Sequence, residues 1–149
     1  MKFIFIILLF CSVTKRMMGE MFNKHNLSLF DEFVSEDYID HIGVEGREEY
    51  REMMKSAFSA FPDLNAVIDD IIAENDKVVV PFTFTGTHRG EFNGIAPTNK
   101  KISWTSIGIL KYKDGKLYER WNVSDVLTLF LQLDAVSFNK NDQFQYYCR

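Results

Sequence analysis

Three strand-like segments between residues 76 and 133 constrain the fold of this chain more than any other feature of its sequence. Residues 77–87 alternate in the period-two pattern of a strand, and residues 101–113 are rich in the β-branched and aromatic side chains that favour strands. An Asp-Gly pair at 114–115 predicts a two-residue hairpin turn, because glycine accepts a positive φ without steric conflict. Residues 116–125 follow at once as the third strand. The sequence therefore predicts an antiparallel meander in the second half of the chain.

Helical patterns occupy much of the first half of the chain. Residues 47–61 are the clearest, since apolar side chains recur there every three to four residues, and Pro62 ends the pattern because the residue before a proline avoids the helical region. The other elements predicted from pattern are helices at residues 15–24, 26–36 and 126–133, and extended segments at residues 38–42 and 64–73. Helices followed by an antiparallel sheet predict an α+β domain with the helices on one face, and a curled sheet closed by helices encloses a pocket.

Composition and charge disfavour several classes of protein. With 149 residues, 14 of them phenylalanine, the chain can form one domain with a substantial core. The net charge of −4 and the lack of any Lys/Arg cluster disfavour nucleic acid as a partner. Neither a Cys-x-x-Cys nor a His-Glu-x-x-His spacing occurs, so the sequence predicts no metal site. Two cysteines, Cys11 and Cys148, are too few for a disulfide framework.

The N-terminal segment, residues 1–14, has two interpretations. Its apolar run at residues 3–10 is too short to span a bilayer as a helix, so we expect no integral membrane span, but it has the length of the hydrophobic part of a signal peptide. The residues that follow lack an Ala-x-Ala cleavage pattern, and the alternative is a first helix that packs on the sheet. Cleavage would make the protein secreted, and without cleavage we expect it in the cytoplasm. Residues 15–134 form the predicted domain, and residues 135–149 a tail.

Short motifs occur in a fixed order along this predicted domain. They are Phe61-Pro62-Asp63-Leu64, Gly86-Thr87-His88, Gly94-Ile95-x-Pro97-Thr98, Asp114-Gly115-Lys116, Trp121-x-x-x-Asp125 and Gln132-Leu133. The ordered set resembles the SnoaL-like polyketide cyclases, also called ester cyclases, of the NTF2-like superfamily, and the resemblance covers residues 15–134. Four positions depart from the family pattern: Asn99 and Asp134 stand where glycine is common, Asn122 stands where aspartate is common, and Lys111 stands where the type enzyme of the family has a histidine.

The resemblance implies both a fold and an activity. The fold is an α+β cone, in which a curved, mostly antiparallel sheet wraps around N-terminal helices and holds a pocket at its mouth. The activity is the intramolecular aldol-type ring closure of a hydrophobic, carbonyl-containing small molecule such as a polyketide, by acid–base catalysis without a metal or a cofactor. The alternative is a module that binds such a molecule without turnover, or that serves for dimerisation. The family commonly forms homodimers, and exposed β-branched residues such as Ile107 and Ile109 predict the same here.

The predicted catalytic residues are Asp125 and His88. The resemblance assigns the general base to the acidic residue that ends Trp-x-x-x-Asp, which is Asp125. If Asp125 shares an apolar strand face with Trp121 and Val123, its pKa is raised toward the range of a general base. The alternative is that Asp125 caps the helix that follows. His88 is either an acid–base partner at the mouth of the pocket or a turn histidine bonded to the backbone.

The predicted ligand-binding residues are basic or aromatic. His41 is expected at the rim of the pocket. Lys111 occupies the strand position where the resemblance places a basic or polar side chain, and it is either a donor to a substrate carbonyl or a solvated lysine. Four large aromatic residues are expected to line a cavity for a flat ligand, or else to belong to the core: Phe82, Phe84, Trp104 and Trp121.

Overall fold

The computed structural model describes residues 2–137 of the chain, and the side chains of residues 8–137. The predicted tail therefore lies outside the described residues from residue 138 onward, as does Cys148. Within the described part, helices come first, one strand and one helix follow, and a series of strands then leads to a last helix.

The helices pack on one face of the sheet. They are α1 (Lys2–Arg16), α2 (Phe30–Phe33), α3 (Arg47–Ala60) and α4 (Val126–Gln132), with a π-helical segment (Met17–Phe22) that continues α1 and a short 3-10 turn (Leu27–Leu29) before α2. In α1 the side chains of Phe10, Val13 and Thr14 are buried, whereas Leu8 and Leu9 are exposed. The helix α1 therefore presents one face to the rest of the protein.

Six strands form a single sheet. They are β1 (Val34–Asp40), β2 (Asn65–Ile68), β3 (Ile72–Glu74), β4 (Lys77–Thr87), β5 (Lys101–Lys113) and β6 (Lys116–Ser124). Their order is β1-β6-β5-β4-β2, and β3 also pairs with β4. The pair β1–β6 is parallel, and the other pairs are antiparallel. The end of β1 therefore lies beside the middle of β6, where Asp40 is the register partner of Arg120.

An irregularity in the β5–β6 pair decides which side chains of β6 face the helices. Lys111 pairs with Glu119, but the next residue, Tyr112, pairs with Leu117, so Tyr118 is the extra residue of a bulge. Because side chains alternate between the two faces of a strand, one extra residue exchanges the faces. Leu117 faces the core before the bulge, and Arg120 faces the same side after it.

The core lies between the sheet and the helices. Its main cluster joins α1, the π segment, α2 and α3 to β4, β5 and β6. Phe10 of α1 stacks on Tyr112 of β5 with ring centroids 5.2 Å apart, and the hydroxyl of Thr14 lies 2.7 Å from the Tyr112 hydroxyl. A second cluster, which includes Phe61 and Leu129, packs α4 against the end of the sheet.

The predicted α+β architecture is confirmed, and several predicted elements have different bounds in the structure, among them the segment predicted at residues 38–42, which is the strand Val34–Asp40. The strands at residues 77–87 and 101–113 have the predicted bounds, and the hairpin is present with φ of 53° at Asp114 and 77° at Gly115. The helix predicted at residues 26–36 was too long, because Val34 already pairs with Leu117 as the start of β1. The strand predicted at residues 64–73 is interrupted between β2 and β3.

The predicted absence of a membrane span concerns the helices of the described chain. Within residues 2–137, no helix has both the length and the apolar character needed to cross a bilayer. The N-terminal apolar run is part of α1, and its residue Phe10 lies in the core.

Candidate functional site

A cavity of about 680 Å³ lies between the inner face of the sheet and the helices. Its helical wall is formed by the π segment and α3, with the side chains of Met17, Met18, Phe22, Met53, Met54 and Ala57. Phe92 and Asn93, from the loop between β4 and β5, contribute to its lining, as do Leu129 and Phe130 around α4. Because methionine side chains are unbranched and flexible, this wall can adapt to the shape of an apolar ligand.

Three of the predicted ligand-binding residues line this cavity: Phe82, Phe84 and Trp104. The β4–β5 register places Phe84 opposite Trp104, and their rings stack with centroids 5.2 Å apart and planes at 16°. Phe82 lies next to Phe84, with ring centroids 5.8 Å apart. The strands thus supply an aromatic wall of the kind that flat apolar ligands contact.

A strip of polar side chains interrupts the apolar lining. Asn122 and Ser124 reach the cavity from β6, and Ser106 reaches it from β5. The Ser106 hydroxyl donates to Oδ1 of Asn122 at 2.9 Å, the Ser124 hydroxyl lies 2.9 Å from the Ser106 hydroxyl, and the Asn122 amide donates to the Ser124 oxygen at 3.1 Å. These three groups therefore satisfy much of their hydrogen-bonding capacity among themselves.

Arg120 is the charged residue that lines the cavity, and a buried carboxylate holds it in place. Its Nε donates to Oδ2 of Asp40 at 2.7 Å, and its Nη2 lies 2.6 Å from the same oxygen. The Tyr38 hydroxyl also donates to this oxygen at 2.5 Å, and the ring of Tyr50 lies under the guanidinium at 4.2 Å. Burial alone lowers the pKa of Arg120, but Tyr50, Tyr38 and the Asp40 carboxylate together raise it above its ordinary value. The guanidinium is therefore permanently charged and fixed in orientation.

Asp125 caps α4. Its Oδ1 accepts a hydrogen bond from the backbone N–H of Thr128 at 3.0 Å, as an N-cap side chain does. The hydrogen bonds from Thr128 hold the pKa of Asp125 below its ordinary value, because they stabilise the carboxylate. The predicted rise in this pKa was therefore wrong. Ser124 and Val126 line the cavity on either side of Asp125, which is itself exposed and is not a lining residue. Its catalytic role stays a prediction.

His88 is buried behind the cavity wall. Its Nδ1 accepts from the backbone N–H of Thr98 at 3.3 Å and lies 3.1 Å from the Thr98 hydroxyl. The ring proton is then on Nε2, which has no hydrogen-bond partner among the described residues. Burial lowers the pKa of His88, so the ring is neutral at neutral pH. Its ring centroid lies 5.3 Å from that of Phe61, which lines the cavity, and the catalytic role of His88 likewise stays a prediction.

The remaining predicted site residues lie on the outer face of the sheet. His41 stacks on Trp121 with ring centroids 4.3 Å apart, and its Nε2 lies 2.7 Å from Oε1 of Glu119. Lys111 pairs with the same carboxylate at 3.2 Å and with Asp76 at 3.9 Å. Hydrogen bonds from His41 and Lys111 hold the pKa of Glu119 below its ordinary value, and the same pairing raises the pKa of Lys111. The structure therefore separates His41, Lys111 and Trp121 from the cavity.

Sequence reasoning missed the polar wall. The apolar strand face predicted for Trp121 and Val123 is not the face that carries Arg120 and Asn122, and the bulge at Tyr118 that exchanges the faces is not visible in the sequence pattern. The signal that was present is the polar alternation of Arg120, Asn122 and Ser124 at the same period of two. Within the part of the chain that the structure describes, no group of three or more His, Cys, Asp or Glu side chains has an arrangement that could hold a metal ion.

The chain is similar to one family of known proteins. Residues 12–133 match the family profile described as SnoaL-like polyketide cyclase. A search of curated proteins gave no match.

Solved structures with the same fold come from several bacteria. AclR, a candidate hydroxylase from Streptomyces galilaeus, is 28% identical with a TM-score of 0.81, over 88% of this chain and 99% of that one. TsrD from Streptomyces laurentii is 27% identical with a TM-score of 0.79, over 87% of this chain and 97% of that one. IdmH, a candidate polyketide cyclase from Streptomyces antibioticus, is 26% identical with a TM-score of 0.75, over 84% of this chain and 98% of that one. These likenesses confirm the predicted α+β cone.

Proposed function

Because this chain belongs to the SnoaL-like polyketide cyclase family, we propose that its cavity binds a hydrophobic small molecule that contains a carbonyl group, such as a polyketide. The observation that carries the proposal is the cavity of about 680 Å³, which has an aromatic wall on the strands and a methionine-rich wall on the helices. A volume in this range suits a drug-sized organic ligand, whose apolar surface would be buried against these walls.

The lining of the cavity favours binding over turnover. No aspartate, glutamate or histidine is among its lining residues in the described part of the chain. Asp125 lies between the lining residues Ser124 and Val126 in the sequence, but its carboxylate caps α4 and has a lowered pKa, which makes it a weaker base. Asn122, which stands where aspartate is common in the family, supplies an amide to the cavity and cannot take a proton there.

The proposal is tested by binding of an uncharged apolar probe, 2-ethylnaphthalene, in equilibrium dialysis. Ala57→Phe adds a ring to the helical wall of the cavity, and Lys55→Phe adds the same ring at an exposed position of α3. We expect saturable binding to the wild type, at least tenfold weaker binding to Ala57→Phe, and unchanged binding to Lys55→Phe. Equal affinity of both variants, or no saturable binding to the wild type, would contradict the proposal.

Catalysis of ring closure is the second candidate, and family membership favours it. In this reaction a base takes a proton from the carbon next to a carbonyl, and the family motif assigns that role to Asp125. Asp125→Asn preserves the shape of the residue and its ability to cap α4, but it cannot accept the proton. If Asp125 is the base, turnover of any polyketide substrate falls about a hundredfold or more while the melting temperature stays close to that of the wild type. Unchanged turnover would assign the base elsewhere.

A homodimer formed through the outer face of the sheet is part of the same proposal. Exposed apolar side chains cluster on this face, and the register places Ile107 next to both Pro81 and Val123. Ile107 is 54% exposed and Ile109 is 37% exposed, while the helices cover the opposite face. A second copy presents the same patch, so a two-fold pairing would bury both at once.

A further inference from the structure

We propose that Arg120 recognises the carbonyl oxygen of the ligand, and that it makes the cavity selective for uncharged carbonyl compounds over carboxylates. This inference rests on the proposed binding function and names the chemical class that the cavity prefers. It is carried by the geometry of Arg120 and by the charge balance around it.

Arg120 has an unused hydrogen-bond donor. Two of its three nitrogens, Nε and Nη2, are directed to Oδ2 of Asp40. The third, Nη1, has no hydrogen-bond partner among the described residues, and the side chain lines the cavity with 12% of its surface exposed. A purely apolar ligand that displaced water from this group would leave a charged donor unpaired, which is unfavourable. A ligand oxygen at this position removes that penalty.

The neighbours of Arg120 also fix its position and orientation. Asp40 lies opposite Arg120 in the β1–β6 register, and its other oxygen, Oδ1, accepts from the backbone N–H of Ile42 at 2.8 Å. Tyr38 donates to the carboxylate, and Tyr50 supports the guanidinium from below. The donor is therefore held in place before the ligand arrives, and little conformational entropy is lost on binding.

The charges around Arg120 are already balanced. The Asp40 side chain is fully buried, and its negative charge already compensates the positive charge of Arg120. A carboxylate ligand would bring a second negative charge beside Asp40, and the remaining polar residues of this wall, Asn122, Ser106 and Ser124, carry no charge to balance it. A ketone or ester oxygen accepts the same hydrogen bond and adds no charge. The site therefore favours the uncharged carbonyl.

The experiment compares three probes of the same shape in equilibrium dialysis: 2-acetylnaphthalene, 2-ethylnaphthalene and 2-naphthoate. We expect the wild type to bind the ketone about tenfold more tightly than the hydrocarbon, the size of effect that a hydrogen bond to a charged donor gives. The carboxylate should bind at least tenfold more weakly than the ketone. In Arg120→Met, the preference for the ketone should disappear, because the ketone loses its hydrogen bond and the hydrocarbon no longer leaves a charged donor unpaired.

The variant Arg120→Met leaves the Asp40 carboxylate buried without its partner, and this can prevent folding. The double variant Asp40→Asn with Arg120→Met removes both charges and serves as the second test, with the same expected loss of preference. Equal wild-type affinity for ketone and hydrocarbon would overturn the role of Arg120, as would a preference that survives in the double variant. If 2-naphthoate bound more tightly than the other two probes, the proposed selectivity for uncharged carbonyl compounds would be wrong. In each case binding of 2-ethylnaphthalene still supports the proposed function, so the two proposals fail separately.

Discussion

Removal of the Phe10 ring tests whether the N-terminal helix belongs to the folded domain. Phe10 is 7% exposed, and its ring stacks on Tyr112 of β5 at 5.2 Å. Its neighbours Leu8 and Leu9 are 62% and 52% exposed on the same helix. If the helix packs as described, Phe10→Ala leaves a cavity against β5, whereas Leu9→Ala removes a side chain that is largely in water.

The loss of stability expected for Phe10→Ala follows from the burial of its ring. Truncation of a buried phenylalanine to alanine lowers the free energy of unfolding by about 3–5 kcal/mol. We expect a loss near the lower value for Phe10→Ala, because a helix near the chain terminus can shift to fill part of the space that the ring leaves. For a domain of this size, about 3 kcal/mol corresponds to a fall in melting temperature of roughly 6–12 °C. Leu9→Ala should change stability by less than about 0.5 kcal/mol.

Urea unfolding followed by circular dichroism measures both variants. We expect a clearly lower midpoint for Phe10→Ala and a wild-type midpoint for Leu9→Ala. Deletion of residues 1–12 should still give a cooperative transition, because the remaining core contains its own helices and sheet, but at a lower midpoint because the Phe10 contact is lost. Equal midpoints for Phe10→Ala, Leu9→Ala and the wild type would refute the packing of α1 on β5 and would favour the signal-peptide interpretation.

Three further predictions concern other parts of the protein. Burial lowers the pKa of His88 below its ordinary value of 6.5, so the stability that depends on the neutral ring is fully present above pH 6.5 and is lost as the pH falls toward the lowered pKa. Urea midpoints should therefore decrease as the pH is lowered through this window. In His88→Asn, the dependence of the midpoint on pH should be weaker. Ile107→Lys should convert a dimer into a monomer in light scattering, whereas Lys113→Ile at the end of β5 should not, and a wild type that is already monomeric would contradict the proposed dimer. Thr14→Val should lower the urea midpoint, because it leaves the buried Tyr112 hydroxyl without its partner; an unchanged midpoint would mean that this hydrogen bond is not formed.

Local patterns in the sequence predicted the strands β4 and β5, the hairpin turn between β5 and β6, and the helix α3. In each of these segments the period of the apolar residues, the turn glycine or the terminating proline acts within a few residues, so neighbouring side chains suffice to define the element. The helix predicted at residues 26–36 was too long for the opposite reason. Val34 extends as a strand because it pairs with Leu117, which is far away in the chain.

The candidate site was only partly predictable. The aromatic residues Phe82, Phe84 and Trp104 were found because they are large and fall on the apolar face of their strands. Arg120 was not found, because its significance depends on Asp40 and Tyr50, which reach it through a parallel strand pair and a separate helix. Such contacts leave no signature in spacing along the chain.

The sequence by itself determined that this chain has an α+β fold with helices against an antiparallel meander, and its ordered motifs identified the family. The tertiary structure alone decided which face of β6 meets the cavity. The bulge at Tyr118 exchanges the two faces, so Arg120 and Asn122 line the cavity while Trp121 lies outside with His41. The physical reason is that the alternation of a strand fixes which residues share a face, but the pairing with its neighbour fixes which face is buried.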